Sequence, residues 1–266
     1  ESVLHRTGEY HDTLLSNLVE DLKKEKYQAF YQPVISLENN KVWGMEALAR
    51  GINEKGDIVL PSMFVANFEE IGIIRYLDIH ILEESLKALK RFNKEGFTDL
   101  RVSVNYSRET MLERGIVERT LDLIDKYGVD RKDIQIEITE RMGDLEESTI
   151  ARVAGEFKES GLFIALDDFG YEYSNFSIFS KLDVAIVKID RSLIEQIGRN
   201  RNSEIIIKAI IDMCKEMNII SLGEGVSTLR QLKFLKDAGC QLAQGFYYSK
   251  ALEREKFRER YLLGNE

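Results

Sequence analysis

Histidine is almost missing from this sequence: His5, His11 and His80 are the only three in 266 residues, and none lies at the end of an apolar run. A zinc site rich in imidazole is therefore not expected. Cysteine is as scarce. Cys214 and Cys240 sit in apolar surroundings without metal-type spacing, and two are too few to staple a secreted domain, which points to a reducing, cytoplasmic setting. There is no run of about eighteen apolar residues and no apolar stretch at the N-terminus, so neither membrane insertion nor secretion is expected. An excess of positive charge is also lacking, with 37 Lys and Arg against 46 Asp and Glu and a formal charge of -9. Binding a nucleic acid polymer through a broad basic surface rests on many cations. A phosphate-bearing ligand would here need metal ions instead.

What the chain does hold is enough apolar material, 44% of residues, to bury a large core without a disulfide or structural metal. One barrel domain fits the length, although two smaller domains would fit it as well. The chain opens on Glu1 and stays polar to Lys26, which suggests a module of a longer polypeptide with a regulatory domain upstream. Leu14, Leu15, Leu18 and Leu22 recur at helical spacing. Residues 1–25 are thus expected to form a linker helix, or a helix that plugs one end of the barrel, and residues 26–266 the domain itself.

Two strand-like runs, Phe30 to Leu37 and Lys41 to Ala49, are joined at Glu38-Asn39-Asn40, a turn short enough for an antiparallel hairpin. Beyond Ile71 the pattern changes to helix, stop, strand. Gly96, Gly128, Gly161 and Gly239 each close a helical stretch before a short apolar run, and Asn218 does the same before Ile219 to Leu222. With Val184 to Ile189 added, eight strands are expected, apolar on both faces as in a parallel sheet covered by helices. Periodicity alone leaves a closed barrel and an open doubly wound sheet equally possible. Polar groups at the ends of many different strands favour the barrel, because an open sheet gathers its functional groups around one switch point.

Those groups are Glu46, Asn105, Glu137 with Glu140, Asp167 with Asp168, Lys188 with Asp190, Glu224 and Gln244. A single Asp after a strand is usually the N-cap of the next helix. Three Glu, a Lys and a Gln inside apolar runs do not suit that role. Crowded buried carboxylates raise one another's pKa and cost several kcal/mol, of order, per uncompensated ion. One Lys cannot balance them, whereas hard divalent cations take such oxygen ligands. The pattern therefore predicts metal, with two ions bridged by one Asp of the Asp167-Asp168 pair, and such a pair suits phosphoryl hydrolysis. Lys188 would orient or deprotonate the attacking water, or else serve in a buried salt bridge. Trp43, Phe64 and Phe68 are expected near the mouth, stacking on a base or filling the core, and Glu253 to Arg260 as a solvated terminal helix.

At this point the residues resemble a family. Met45-Glu-Ala-Leu-Ala-Arg50 is similar to the signature of EAL domains, the cyclic di-GMP phosphodiesterases. It is joined in family order by Tyr31-Gln-Pro33, Val104-Asn-Tyr-Ser107, Glu137-Ile-Thr-Glu140, Asp167-Asp-Phe-Gly170, Lys188-Ile-Asp190, Gly223-Glu-Gly-Val226 and Gln244-Gly-Phe246. The resemblance implies a TIM-like (β/α)8 barrel with an antiparallel first strand, and hydrolysis of cyclic di-GMP to linear pGpG by two Mg²⁺ or Mn²⁺ ions. It further implies Glu46, Asn105, Glu137 and Asp167 on the first metal, with Asp167, Asp168 and, through water, Glu224 serving the second. Lys188, Glu224, Gln244 and Glu140 would be the catalytic set, Glu140 by steadying the loop after Asp167. Arg50, Gln32, Asp190 and Gln244 would meet the substrate. A homodimer is the family expectation.

Two departures favour a rival, a receptor that binds cyclic di-GMP without cutting it. After Gly170 the family usually continues Thr-Gly-Tyr-Ser-Ser, whereas this chain has Tyr171-Glu-Tyr-Ser-Asn175, and Ser227 stands where Glu is usual. Ala251 replaces a usual Pro.

Overall fold

The computed structural model describes residues 2–139, 147–171 and 176–264. Among the described residues, nine strands form one sheet: β1 (Tyr27–Ser36), β2 (Val42–Ile52), β3 (Ile58–Val59), β4 (Arg101–Asn105), β5 (Ile134–Thr139), β6 (Phe163–Phe169), β7 (Ile186–Ile189), β8 (Ile220–Gly223) and β9 (Leu242–Ala243). Their order is β1-β9-β8-β7-β6-β5-β4-β2-β3, and β1 also pairs with β2, so eight strands close into a barrel. Short β3 merely extends β2 as a hairpin. β1 runs antiparallel to both neighbours, β2 and β9, while β2 and β4 to β9 are mutually parallel. The expected barrel and its reversed first strand are both present.

Helices wrap the wall: α1 (Ser2–Lys23), α2 (Val65–Ile71), α3 (Ile74–Lys94), α4 (Arg108–Met111), α5 (Ile116–Tyr127), α6 (Glu147–Glu159), α7 (Arg191–Ile194), α8 (Arg201–Glu216), α9 (Leu229–Ala238) and α10 (Arg254–Phe257). Side chains alternate across each strand. On β5 this sends Ile134, Ile136 and Ile138 outward into the core beneath the helices, one cluster that also holds Leu82, Phe92, Phe157 and Ile207. Gln135 and Glu137 take the other face, toward the barrel axis. Low on that axis Val34, Ala165, Ile186, Leu222 and Leu242 form an apolar floor. The carboxylates gather above it, at the C-terminal ends of the parallel strands.

Two sequence expectations, for Trp43 and the terminal helix, need amendment, and for Phe64 and Phe68 the core-filling alternative holds. Trp43 lies at the first residues of β2, at the floor rather than the mouth, where it packs against that apolar layer with the Arg101 guanidinium 4.8 Å from its ring centre. Phe64 is buried and meets Tyr27 edge-on at 5.0 Å, with Phe68 beside them, so this pair fills core. The terminal helix is docked rather than solvated. Phe257 is fully buried against Phe92 and Tyr31, and Arg91 with Glu255 and Arg258 with Glu95 tie α10 to α3. At the other end of the chain, Leu18 is buried and Leu22 packs on the same core.

Candidate active site

Strand register decides which inward side chains reach the mouth. Glu46 of β2 lies beside Ser103 of β4, Asn105 of β4 beside Glu137 of β5, and Thr139 of β5 beside Asp167 of β6. Lys188 of β7 pairs with Leu222 of β8, and Glu224 follows two residues on. Gln244 follows the last residue of β9. Seven groups scattered over about two hundred positions of sequence thus converge on one axis.

The Lys188 ammonium stands at their centre, 1% exposed. Its Nζ is 2.6 Å from Glu137, 2.8 Å from Glu224, 3.1 Å from Asp167 and 3.4 Å from Glu46. Asn105 Nδ2 donates to Glu46 at 3.0 Å, and Gln244 Nε2 donates both to Glu46 and, at 3.4 Å, to Glu224. Both amides therefore turn their donors toward carboxylate. Gln244 Oε1 is buried with no partner among the described residues, an acceptor free for a bound water or ligand.

These contacts divide the carboxylates. Burial and the neighbouring Glu46 charge push Glu137 well above the ordinary carboxylate range, and burial with Asp167 does the same to Glu224. Glu46 is buried as deeply, yet Lys188 and the amides of Gln244 and Asn105 hold it below its usual value. For Lys188, burial alone would depress the ammonium, but Asp167, Glu137, Glu224 and Glu46 together raise it well above normal. The lysine is firmly protonated. With Glu46, Glu137, Asp167, Asp168 and Glu224 all ionised, that one charge leaves a formal deficit of four, the charge of two divalent cations; without cations, the upward shifts of Glu137 and Glu224 ease the same crowding.

Ligand geometry agrees. Oxygens of Glu46, Glu137 and Asp167 lie within 4.8 Å of one another, as do those of Asp167, Asp168 and Glu224, so two acidic clusters share Asp167. A bulge makes the sharing possible. The β6–β7 ladder slips between Leu166 and Phe169, and Asp168 takes φ 58°, a left-handed conformation unfavourable for a side-chain-bearing residue. Consecutive strand residues normally face opposite sides. Here Asp168 folds back so that its own N–H reaches Asp167 Oδ1 at 3.0 Å, and both carboxylates serve the mouth. Strain of this kind persists where surrounding structure over-determines it, commonly at functional sites. The donors, all hard oxygens, fit Mg²⁺ or Mn²⁺.

The remaining expected residues are placed as follows. Arg50 lies two alternations beyond Glu46 on β2, half-buried, with Nη1 on the carbonyl of Ala49 at 2.8 Å. Gln32 pairs with Glu46 across the hairpin and donates to Ser249 O at 3.0 Å. Asp190 is buried and caps α7 through Ser192 N at 2.8 Å. Glu140 lies outside the described residues, as do 172–175 of the altered loop. Ser227, the other departure, turns its hydroxyl toward Gln231.

Sequence inspection missed the polar groups just beneath the carboxylates. Ser103 and Gln135 are buried on the inner face, one alternation below Asn105 and Glu137, and Gln135 Nε2 has no partner. Strand alternation would have found both. It also missed Asp78 of α3, whose carboxylate holds Ser107 N at 2.9 Å and the Thr110 hydroxyl at 2.6 Å, pinning the turn after Asn105.

Fold and mouth together define a carboxylate-lined (β/α)8 barrel suited to divalent cations. More particularly, the chain belongs to the EAL domain family, which residues 15–251 match. It is similar to the probable cyclic di-GMP phosphodiesterase PdeB of Escherichia coli K12, with 31% identity over 227 residues that cover 85% of this chain and 43% of that protein. It is also similar to the signaling protein YkoW of Bacillus subtilis 168, 29% identical over 242 residues, 91% of this chain and 30% of that one. The chain thus spans less than half the length of either relative. Of solved structures, the PaMucR phosphodiesterase in complex with c-di-GMP matches with TM-score 0.84 and 26% identity, over 92% of this chain and 99% of that one. A FimX EAL domain from Pseudomonas aeruginosa bound to c-di-GMP shares the fold, with TM-score 0.81 and 21% identity over 89% and 96% of the two chains.

Proposed function

We propose that this domain is a metal-dependent phosphodiesterase that hydrolyses cyclic di-GMP to linear pGpG. The observation that carries the proposal is the pair of acidic clusters sharing Asp167, short of positive charge by the amount two divalent cations bring. Glu46, Asn105, Glu137 and Asp167 would hold the first Mg²⁺ or Mn²⁺, and Asp167, Asp168 and, through water, Glu224 the second. Bound cations would supply the positive charge against which an in-line phosphoryl displacement proceeds.

The chain's own residues do the positioning. Lys188, kept protonated, donates a hydrogen bond to the attacking water and fixes its direction. Gln244 offers its unpartnered Oε1 to the same water or to the ligand. Arg50 meets a substrate phosphate through its planar fork, and Gln32 and Asp190 border the ligand. Glu140 steadies the loop after Asp167. Water, giving up one proton to a mouth carboxylate or solvent, attacks phosphorus as the bond to the ribose 3′ oxygen breaks and that oxygen takes up a proton, so the ring opens to a dinucleotide with a 5′ phosphate. A cytoplasmic setting, an upstream regulatory domain and a homodimer belong to the same proposal; among the described residues no helix is long and apolar enough to cross a membrane.

The receptor alternative draws on the altered loop at 171–175. Against it, every described carboxylate assigned to a cation sits on the inner face within reach of its partners. Purified domain is to be incubated with cyclic di-GMP and Mn²⁺ and the products separated by chromatography. Accumulating pGpG, abolished in Asp167→Ala, is expected. Tight binding with no linear product would move the assignment to a receptor.

A further inference from the structure

Gln231 is a helix-capping residue whose side chain bonds beyond the cap. It occupies the third position of α9, and its Oε1 accepts from Thr228 N at 3.0 Å and from Ser227 N at 2.8 Å and Oγ at 3.1 Å. With Gln231 N on Thr228 Oγ1 at 3.3 Å, this is a complete capping box. The other end of the same amide points elsewhere. Nε2 donates at 3.2 Å to the carbonyl of Ile194, the last residue of α7, 37 positions away. The side chain is buried, so neither end has water as a substitute.

The two segments joined in this way carry two groups of the site. The α7 turn begins at Asp190, two residues after Lys188, and the loop leading to α9 begins at Glu224. Past the Ile189–Gly223 pair the β7–β8 ladder ends with Glu224 N on Ile189 O at 3.1 Å, and the loop turns away through Gly225 at φ 67°. A Cβ on Gly225 would lie 2.4 Å from Arg191 Cγ, so loop and α7 turn are in close contact there. On its opposite side the loop is tied to β9 by Val226 N on Gln244 O at 3.0 Å and Tyr247 N on Val226 O at 2.9 Å. Gln231 supplies the matching tie on the β7 side.

We propose that Gln231 is a positioning residue: its amide crosslink to Ile194 fixes the Glu224 loop against the Lys188 turn and so holds Glu224 beside Asp167 and Asp168 in the cluster that would take the second cation. The proposal rests on the metal assignment made above and adds to it a residue that touches neither ion nor substrate.

Cap and crosslink can be separated by substitution. Gln231→Glu keeps an acceptor for Ser227 and Thr228 and is itself a favoured capping-box residue, but it has no N–H to offer Ile194. Thr228→Ala does the reverse, removing the hydroxyl that caps Gln231 N and leaving the Ile194 bond. Mn²⁺ affinity of the metal-free domain is to be measured by isothermal titration, and the unfolding temperature of each protein by circular dichroism. Gln231→Glu should weaken Mn²⁺ binding about tenfold, a typical consequence of removing an outer support, and lower the unfolding temperature as Ile194 O loses its partner. Thr228→Ala should lower the unfolding temperature and leave Mn²⁺ affinity unchanged. Gln231→Met, uncharged and of similar length, should reproduce the loss of affinity if the buried carboxylate of the Glu variant prevents folding. Mn²⁺ affinity unchanged in both Gln231 variants, or weakened equally by Thr228→Ala, overturns the positioning role. Wild-type protein that binds no Mn²⁺ overturns the metal assignment itself, and the two failures are distinct.

Discussion

Asp78 offers a perturbation whose size follows from the structure. Its carboxyl is buried on α3, and burial outweighs the hydrogen bonds from Thr110 and Ser107, pushing it from 3.8 up to about 6. The unfolded chain gives up this proton near the lower value and the folded protein near the higher. Between them the folded state holds the extra proton, so stability is full below about pH 4 and is lost as the pH rises through about 6. A displacement of that size corresponds to about 3 kcal/mol, a large share of the roughly 5–15 kcal/mol that holds a domain folded. Asp78→Asn keeps an oxygen for Ser107 N and the Thr110 hydroxyl but cannot ionise. Urea unfolding of both proteins from roughly pH 4 to pH 7 gives their stability difference at each point. That difference should move by about 3 kcal/mol in favour of the Asn variant as the pH rises. A difference that stays flat across this window would refute the assignment of a buried, proton-holding carboxyl behind the Asn105 turn.

Three further outcomes are expected. Lys188→Met removes the ammonium in contact with Glu46, Glu137, Asp167 and Glu224 and should cost about 3–5 kcal/mol in metal-free protein; added Mn²⁺ should restore part of it in a thermal melt, and an unchanged metal-free melt would contradict the charge assignment. Glu137→Gln replaces a carboxyl that burial and the Glu46 charge already push toward its neutral form, so urea unfolding without metal should stay within about 1 kcal/mol of wild type while Mn²⁺ affinity by titration falls about tenfold or more, as expected when a ligand is lost. Arg50→Lys keeps the charge and loses the fork, so steady-state kinetics should show KM for cyclic di-GMP raised about tenfold with kcat little altered. A drop in kcat alone would place Arg50 elsewhere in the mechanism.

Much of the barrel is legible before any coordinates. Asn218 and Gly239 do end their helices in the left-handed conformation, at φ 56° and 83°, and strands follow both at once. The hairpin turn at Glu38 to Asn40 likewise brings β1 back against β2. What is illegible has physical reasons. The apolar run at Gln241 to Phe246 gives a strand of only Leu242–Ala243, because Gly245 passes so close to Val226 that a Cβ there would lie 2.3 Å from its backbone. Phe257 stands among charged neighbours, which hide that this single ring is the anchor of α10. Trp43 was placed by its residue type, although the direction of β2 puts its first residues at the floor.

The site divides in the same way. Carboxylates at strand ends can be read from alternation and strand order, and Glu46, Glu137, Asp167, Asp168 and Glu224 do come together. That Asp167 and Asp168 face one cavity depends on a bulge, which strict alternation would deny. Asp78 and Gln231 escape notice because each sits on a helix and bonds to partners 29 to 37 residues away, leaving no local pattern.

The central claim is that the carboxylates of the barrel mouth hold two cations, with Asp167 shared between them. Diffraction from Mn²⁺-soaked crystals at the manganese edge measures this directly. Two anomalous peaks about 4 Å apart, both in contact with Asp167, are the expected result. A mouth without peaks, with the Lys188 ammonium still lodged among Glu46, Glu137, Asp167 and Glu224, would contradict it.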